Sequence, residues 1–115
     1  MPIQRIDPGP RMSEMVIHND TIYLSGQIAE DGSTTVEAQT RDVLRQIDAR
    51  LAEVGSGKDR LLSATVFLAD IATFAEMNAA WDAWVDSANA PTRATVEARL
   101  ADPALLVEIL VVAAR

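Results

Sequence analysis

The chain has no cysteine among its 115 residues and a single histidine, His18. The first absence excludes disulfides, thiolate metal sites and thiol nucleophiles. The second leaves no pair of imidazoles to share a metal, and the scattered carboxylates show no ligand spacing, so no metal site is expected. His18 stands beside an Asn19-Asp20 turn and reads as an incidental surface residue rather than a general base. Basic residues are also scarce: 10 Lys and Arg against 17 Asp and Glu leave a net charge of −7. That balance opposes sequence-independent attraction to nucleic acid or to an anionic membrane and favours small solutes as partners. No run approaches the roughly 18 consecutive apolar residues of a membrane span. The opening MPIQRIDPGP lacks the basic start and apolar run of a signal peptide, so the expected location is the cytoplasm. Gly55 to Lys58 (GSGK) follows a helical stretch without the spacing or the Ser/Thr of a phosphate loop, and no dinucleotide fingerprint occurs.

What is present is 49% hydrophobic residues, enough for one globular domain over residues 1–115. A domain of this size buries a modest fraction of its surface, so association with copies of itself would add stability. Residues 1–12, with Pro2, Pro8, Gly9 and Pro10, read as an extended lead-in. Met15 to His18 and Thr21 to Gln27 (TIYLSGQ) form a hairpin about Asn19-Asp20, ending at Ser25-Gly26, where glycine permits a bulge or a close backbone approach. From Val36, the apolar positions Val43, Leu44, Ile47, Leu51 and Val54 recur at helical spacing, and Gly55-Ser56-Gly57 supplies the stop.

Leu61 to Ala69 reads as a central strand with Leu62, Ala64, Val66 and Leu68 on one face. Thr73 and Glu76 have capping-box spacing ahead of a second helix whose apolar face holds Phe74, Met77, Trp81, Trp84 and Val85. Core packing accounts for the two tryptophans, although they could line an aromatic pocket. Arg93 to Leu100 alternates, with Arg93, Thr95, Glu97 and Arg99 on one side. After Asp102-Pro103, Leu105 to Ala114 is apolar enough for a strand covered on both faces. The order β-β-α-β-α-β-β, without linkers or repeats, predicts a two-layer α+β fold.

Glu108 stands out because a carboxylate within an apolar strand must be neutralised, paired or used. Arg93 is the natural companion, since its planar fork grips carboxylates bidentately. Antiparallel pairing of the last two strands about Asp102-Pro103 would carry Arg93 past Glu108, so the two could miss each other within one chain or meet across a subunit boundary. A surface arginine and a structural ion pair are the plainer readings of the same residues.

Taken in order, TIYLSGQ, QTRDVLRQIDARLAEVG, LLSATVFLADIATFAEMNAAWDAW, APTRATVEARL and LLVEILVVAA resemble the RidA (YjgF) family over nearly the whole chain. The distinctive elements are Ser25-Gly26-Gln27, the phrase around Val66 to Trp81, Pro91-x-Arg93-x-x-Val96, and the acidic residue of the closing apolar strand. The resemblance implies a fold similar to bacterial chorismate mutase and a homotrimer with clefts between subunits. It also implies cofactor-free hydrolysis of reactive 2-imino acids to 2-keto acids and ammonia.

By the same resemblance Arg93 holds the substrate carboxylate and Glu108 positions the attacking water. Thr95 stands where many relatives carry cysteine, and Gly26 lies in the segment lining the cleft. Relatives of the best-studied branch have an N-terminal Gly-Pro-Tyr whose tyrosine faces the ligand. Here Gly9-Pro10 is followed by Arg11 and Met12, leaving Arg11 or Met12 to line the pocket. A non-catalytic trimer binding small carboxylates is the competing reading. RNA cleavage, which some relatives' descriptions carry, runs against the net charge and the lack of a basic stripe with interleaved aromatics.

Overall fold

A computed structural model describes residues 2–115; Met1 lies outside the described residues. Seven strands form one sheet: β1 (Ile3–Pro8), β2 (Ser13–His18), β3 (Thr21–Leu24), β4 (Gln27–Ile28), β5 (Leu61–Leu68), β6 (Thr92–Glu97) and β7 (Val107–Ala114). Two helices, α1 (Val36–Glu53) and α2 (Phe74–Trp84), complete the α+β architecture. The strand order is β1-β2-β3-β7-β5-β6, with β4 also paired to β7.

Local chemistry sets the helix ends. The Thr35 side chain accepts the Ala38 N–H at the start of α1. Gly55, at φ 76°, ends it. The Gly55 and Ser56 N–H groups turn back to the Ala52 and Leu51 carbonyls, which is the glycine-based stop that satisfies a helix's last carbonyls. The expected capping box at Thr73 does not form. The Thr73 hydroxyl donates to the Asp70 carbonyl instead, and Asp70 caps the short turn before α2 by accepting from Ala72 N–H.

Strand alternation builds the core between sheet and helices. Met15, Ile17, Ile22, Leu24, Ala64, Val66, Leu68, Val107, Ile109, Val111 and Ala113 are buried together with Val43, Leu44, Ile47 and Leu51 of α1 and Met77 and Trp81 of α2. Leu61, not the expected Leu62, joins this set. An irregularity in the β5–β7 register between Leu61 and Ser63 turns Leu62 outward.

Four other expectations change. The lead-in is a strand, since β1 pairs antiparallel with β2 from Ile3 opposite His18 to Pro8 opposite Ser13. The stretch Thr21 to Gln27 is two strands, because five residues from Tyr23 to Gln27 face four from Val112 to Ile109, a bulge at Ser25-Gly26. β6 does not fold back on β7 but runs parallel to β5, Ser63 opposite Thr92 through Leu68 opposite Glu97. A strand, helix and strand in succession favour this crossover, and the 98–106 connection is then free to return β7 to the other side of β5. Finally, β7 is covered on one face only within a chain: Glu108, Leu110 and Val112 face away from the helices, and Leu110 is exposed.

Candidate functional site

Arg93 pairs with Ala64 on β5, and Ala64 is buried under the helices. The Arg93 side chain therefore rises on the helix face of the sheet, at its outer strand. Its guanidinium carbon lies 5.1 Å from the centre of the Trp81 ring and 5.7 Å from that of Phe74. Its Nη1 donates to the Met77 sulfur at 3.9 Å. Among the described residues no carboxylate forms an ion pair with it.

Thr95 is two residues further along the same face of β6, opposite Val66. Its hydroxyl oxygen is buried without a hydrogen-bond partner among the described residues. The polarity of β6 is thus inverted. Its polar residues Arg93 and Thr95 are half-buried against the helix layer, whereas Ala94 and Val96 are exposed on the other face. Strands of a sheet covered on one side normally do the reverse.

Glu108 pairs with Phe67 on β5 and Ile28 on β4. Ala64 and Phe67 are an odd number of residues apart, so Arg93 and Glu108 project from opposite faces of the sheet. With β5 between them, their Cα atoms are about 14 Å apart from strand spacing and rise. Within one chain the structure does not bring the two together.

Gly26 does meet Glu108. A Cβ added to Gly26 would collide with the Glu108 Oε2 and stand 3.0 Å from its Cδ. The bulge and the glycine thus open the space that the carboxylate occupies. The half-buried Glu108 side chain likewise has no ion pair among the described residues.

Beside this position, Ser25 Oγ donates to Glu14 Oε2 at 3.0 Å, and Gln27 Nε2 donates to the Ser25 carbonyl at 3.0 Å. Arg11 sits in the exposed turn from Gly9 to Met12, closed by the Gly9 N–H on the Met12 carbonyl at 2.8 Å. Ser25 N–H bonds the Glu14 carbonyl, so the register carries this turn to the same end of the sheet as Gly26.

The sequence pattern left Phe74, Met77 and Trp81 as packing residues without linking them to Arg93. The link depends on β6 lying beside β5, which brings α2 across it. A cleft of about 740 Å³ opens along the β6–β7 connection, lined among others by Glu97, Arg99, Asp102 and Leu105, and includes neither Arg93 nor Glu108. Among the described residues no group of three or more His, Cys, Asp or Glu is placed to hold a metal ion. Among the described residues no helix is long and apolar enough to cross a membrane.

The seven-stranded sheet with its two helices is an α+β fold. The family model described as "Endoribonuclease L-PSP" matches residues 2–115. A RutC family protein of Haemophilus influenzae is 50% identical over 117 residues, covering 98% of each chain. The RutC family protein YoaB of Escherichia coli is 50% identical over 114 residues, covering 99% of each. Among solved structures, a YjgF family member from Neisseria meningitidis superposes with a TM-score of 0.97 at 48% identity, over 100% of this chain and 96% of that one. The chain belongs to the RidA (YjgF) family.

Proposed function

We propose that the protein hydrolyses reactive 2-imino acids to 2-keto acids and ammonia, at clefts formed between copies of the chain in a homotrimer. The observation that carries this reading is the pair of half-buried, oppositely charged side chains, Arg93 and Glu108, neither answered by an ionic partner among the described residues. Charges held in such surroundings need a counterpart. Since they leave opposite faces of one sheet, a second copy is the simplest source of the missing neighbour. The uncovered face offers a surface for it, with Tyr23, Val96 and Leu110 exposed beside half-buried Phe67 and Val112; an apolar face of this kind favours association.

The chemistry asked of the protein is modest. An imine carbon is already electrophilic, more so when its nitrogen is protonated. Arg93 binds the substrate carboxylate through its N–H edge and fixes the C=N carbon, converting an encounter with water into a positioned attack. Glu108, held against Gly26, takes a proton from that water as the C–O bond forms. Glu108 returns that proton to the carbinolamine nitrogen, the C–N bond breaks to release ammonia, and the hydroxyl gives its proton to Glu108 as the C=O bond of the keto acid forms. Thr95 supplies a donor near the carboxylate, and Arg11 or Met12 closes the end of the cleft where relatives carry tyrosine. Within this reading the enzyme works in the cytoplasm without metal or cofactor.

The test generates imines in situ with an amino-acid oxidase and follows their decay by semicarbazide trapping. Arg93→Ala should lose turnover through lost binding, whereas Glu108→Gln should bind 2-oxobutanoate and lose turnover. Wild-type rates in both variants would sink the reading. Saturable 2-oxobutanoate binding by a wild-type protein that leaves imine decay unchanged would replace the enzyme with a binding module. The ribonuclease chemistry in the family description draws no support from a chain of net charge −7.

A further inference from the structure

Three side chains from one stripe of α2 surround the Arg93 head group. Phe74, Met77 and Trp81 follow one another at spacings of three and four, and helix residues seven apart are about 10.5 Å apart along the axis. The guanidinium carbon lies over both rings, 5.7 Å from the centre of Phe74 and 5.1 Å from that of Trp81, and the Met77 sulfur accepts from Nη1 at 3.9 Å. The rings are anchored differently: Trp81 is 6% exposed and belongs to the core, while Phe74 is 41% exposed.

The geometry points to Trp81 and Phe74 as positioning residues for carboxylate recognition, an aromatic bracket that pre-orients the Arg93 guanidinium and leaves N–H groups free for the ligand. The inference rests on the reading of Arg93 as the carboxylate-binding group. Aromatic rings attract a guanidinium through their faces, so its in-plane N–H donors stay available for a bidentate contact. A free arginine loses much rotamer freedom when it grips a ligand, and one already held against rings loses less. Neither ring has to touch the substrate.

The experiment measures 2-oxobutanoate binding, imine KM and kcat, and thermal melting for Phe74→Leu, Trp81→Leu and Trp81→Phe, with Arg93→Ala as reference. Phe74→Leu and Trp81→Leu should each weaken Kd and raise KM about fivefold, the scale of one partly desolvated cation–ring contact. kcat should stay within about twofold, and Trp81→Phe, which keeps a ring, should restore most of the affinity. Packing alone would lower the melting temperature without separating KM from kcat, and would leave the surface substitution Phe74→Leu silent.

Wild-type binding by Phe74→Leu, a loss confined to kcat, or no rescue by Trp81→Phe would overturn the bracket. If Trp81→Leu fails to fold, Phe74→Leu decides, because its ring is not part of the core. Arg93→Ala separates the two levels. Should it bind 2-oxobutanoate as wild type, the role of Arg93 and the bracket fall together; should it lose binding while the ring variants keep theirs, only the bracket falls.

Discussion

The Glu108 carboxylate lies against the Gly26 backbone, where even a methyl group would meet its Oε2. Glu108 can swing aside because the colliding atoms are the end of a flexible chain, so alanine there should be tolerated by the fold but not by the site. Gly26→Ala is expected to keep a melting temperature within a few degrees of wild type. Its turnover of imines should fall by about tenfold to a hundredfold, the usual effect of displacing a catalytic group by an ångström or so. Unchanged kcat in a folded Gly26→Ala protein would remove the role given to this contact.

Arg93 and Glu108 project from opposite faces of one sheet, so a site using both should draw them from different chains. Co-refolding equal amounts of Arg93→Ala and Glu108→Gln chains should then rebuild intact clefts wherever the two wild-type residues meet. About a quarter of wild-type activity is expected for random mixing in a cyclic assembly. A mixture as inactive as either parent would place both residues in one chain's site, or neither.

Gln39 carries a stability prediction. It is buried on α1, donates from Nε2 to the Ser33 and Ala104 carbonyls at 2.8 and 2.9 Å, and accepts the Leu106 N–H at 2.9 Å. One side chain thus ties the loop before α1 to the segment entering β7. Gln39→Ala would leave those backbone groups unpaired and should lower unfolding free energy by about 3 kcal/mol, read from denaturant midpoints. A loss below about 1 kcal/mol would mean that water replaces the amide.

Asp31 gives a pH prediction. Hydrogen bonds from the Ser33 side chain and backbone hold its carboxyl below the ordinary value of 3.8, against desolvation and with help from Arg45. A carboxyl depressed in the folded state contributes stability that is complete above 3.8 and lost as pH falls through its folded value. Ser33→Ala should therefore move the Asp31 midpoint upward in an NMR titration. Its stability deficit should be present at neutral pH and vanish in acid; a deficit that grows in acid would contradict the sign.

Much of the fold was legible because it is written in short-range chemistry. Gly55 ends α1 as its Gly-Ser-Gly stop predicts, and Ser25-Gly26 carries the bulge expected of a strand-interrupting glycine. Leu62 was misplaced because a register irregularity is a property of two strands, not one. Gln39 carries no local signal of its role, because its partners, Ser33, Ala104 and Leu106, lie in segments that meet only after folding.

From the order of residues alone came two amphipathic helices, the alternating strands, the exclusion of thiol chemistry, and the oddity of an acid at position 108, since each depends on neighbours within a turn or a pleat. Only the tertiary structure decided that β6 lies beside β5 rather than β7. That pairing sets Arg93 beneath the α2 rings and Glu108 against Gly26 on the opposite face. Strand partners are chosen by the burial of whole faces at long range, and no local period records that choice.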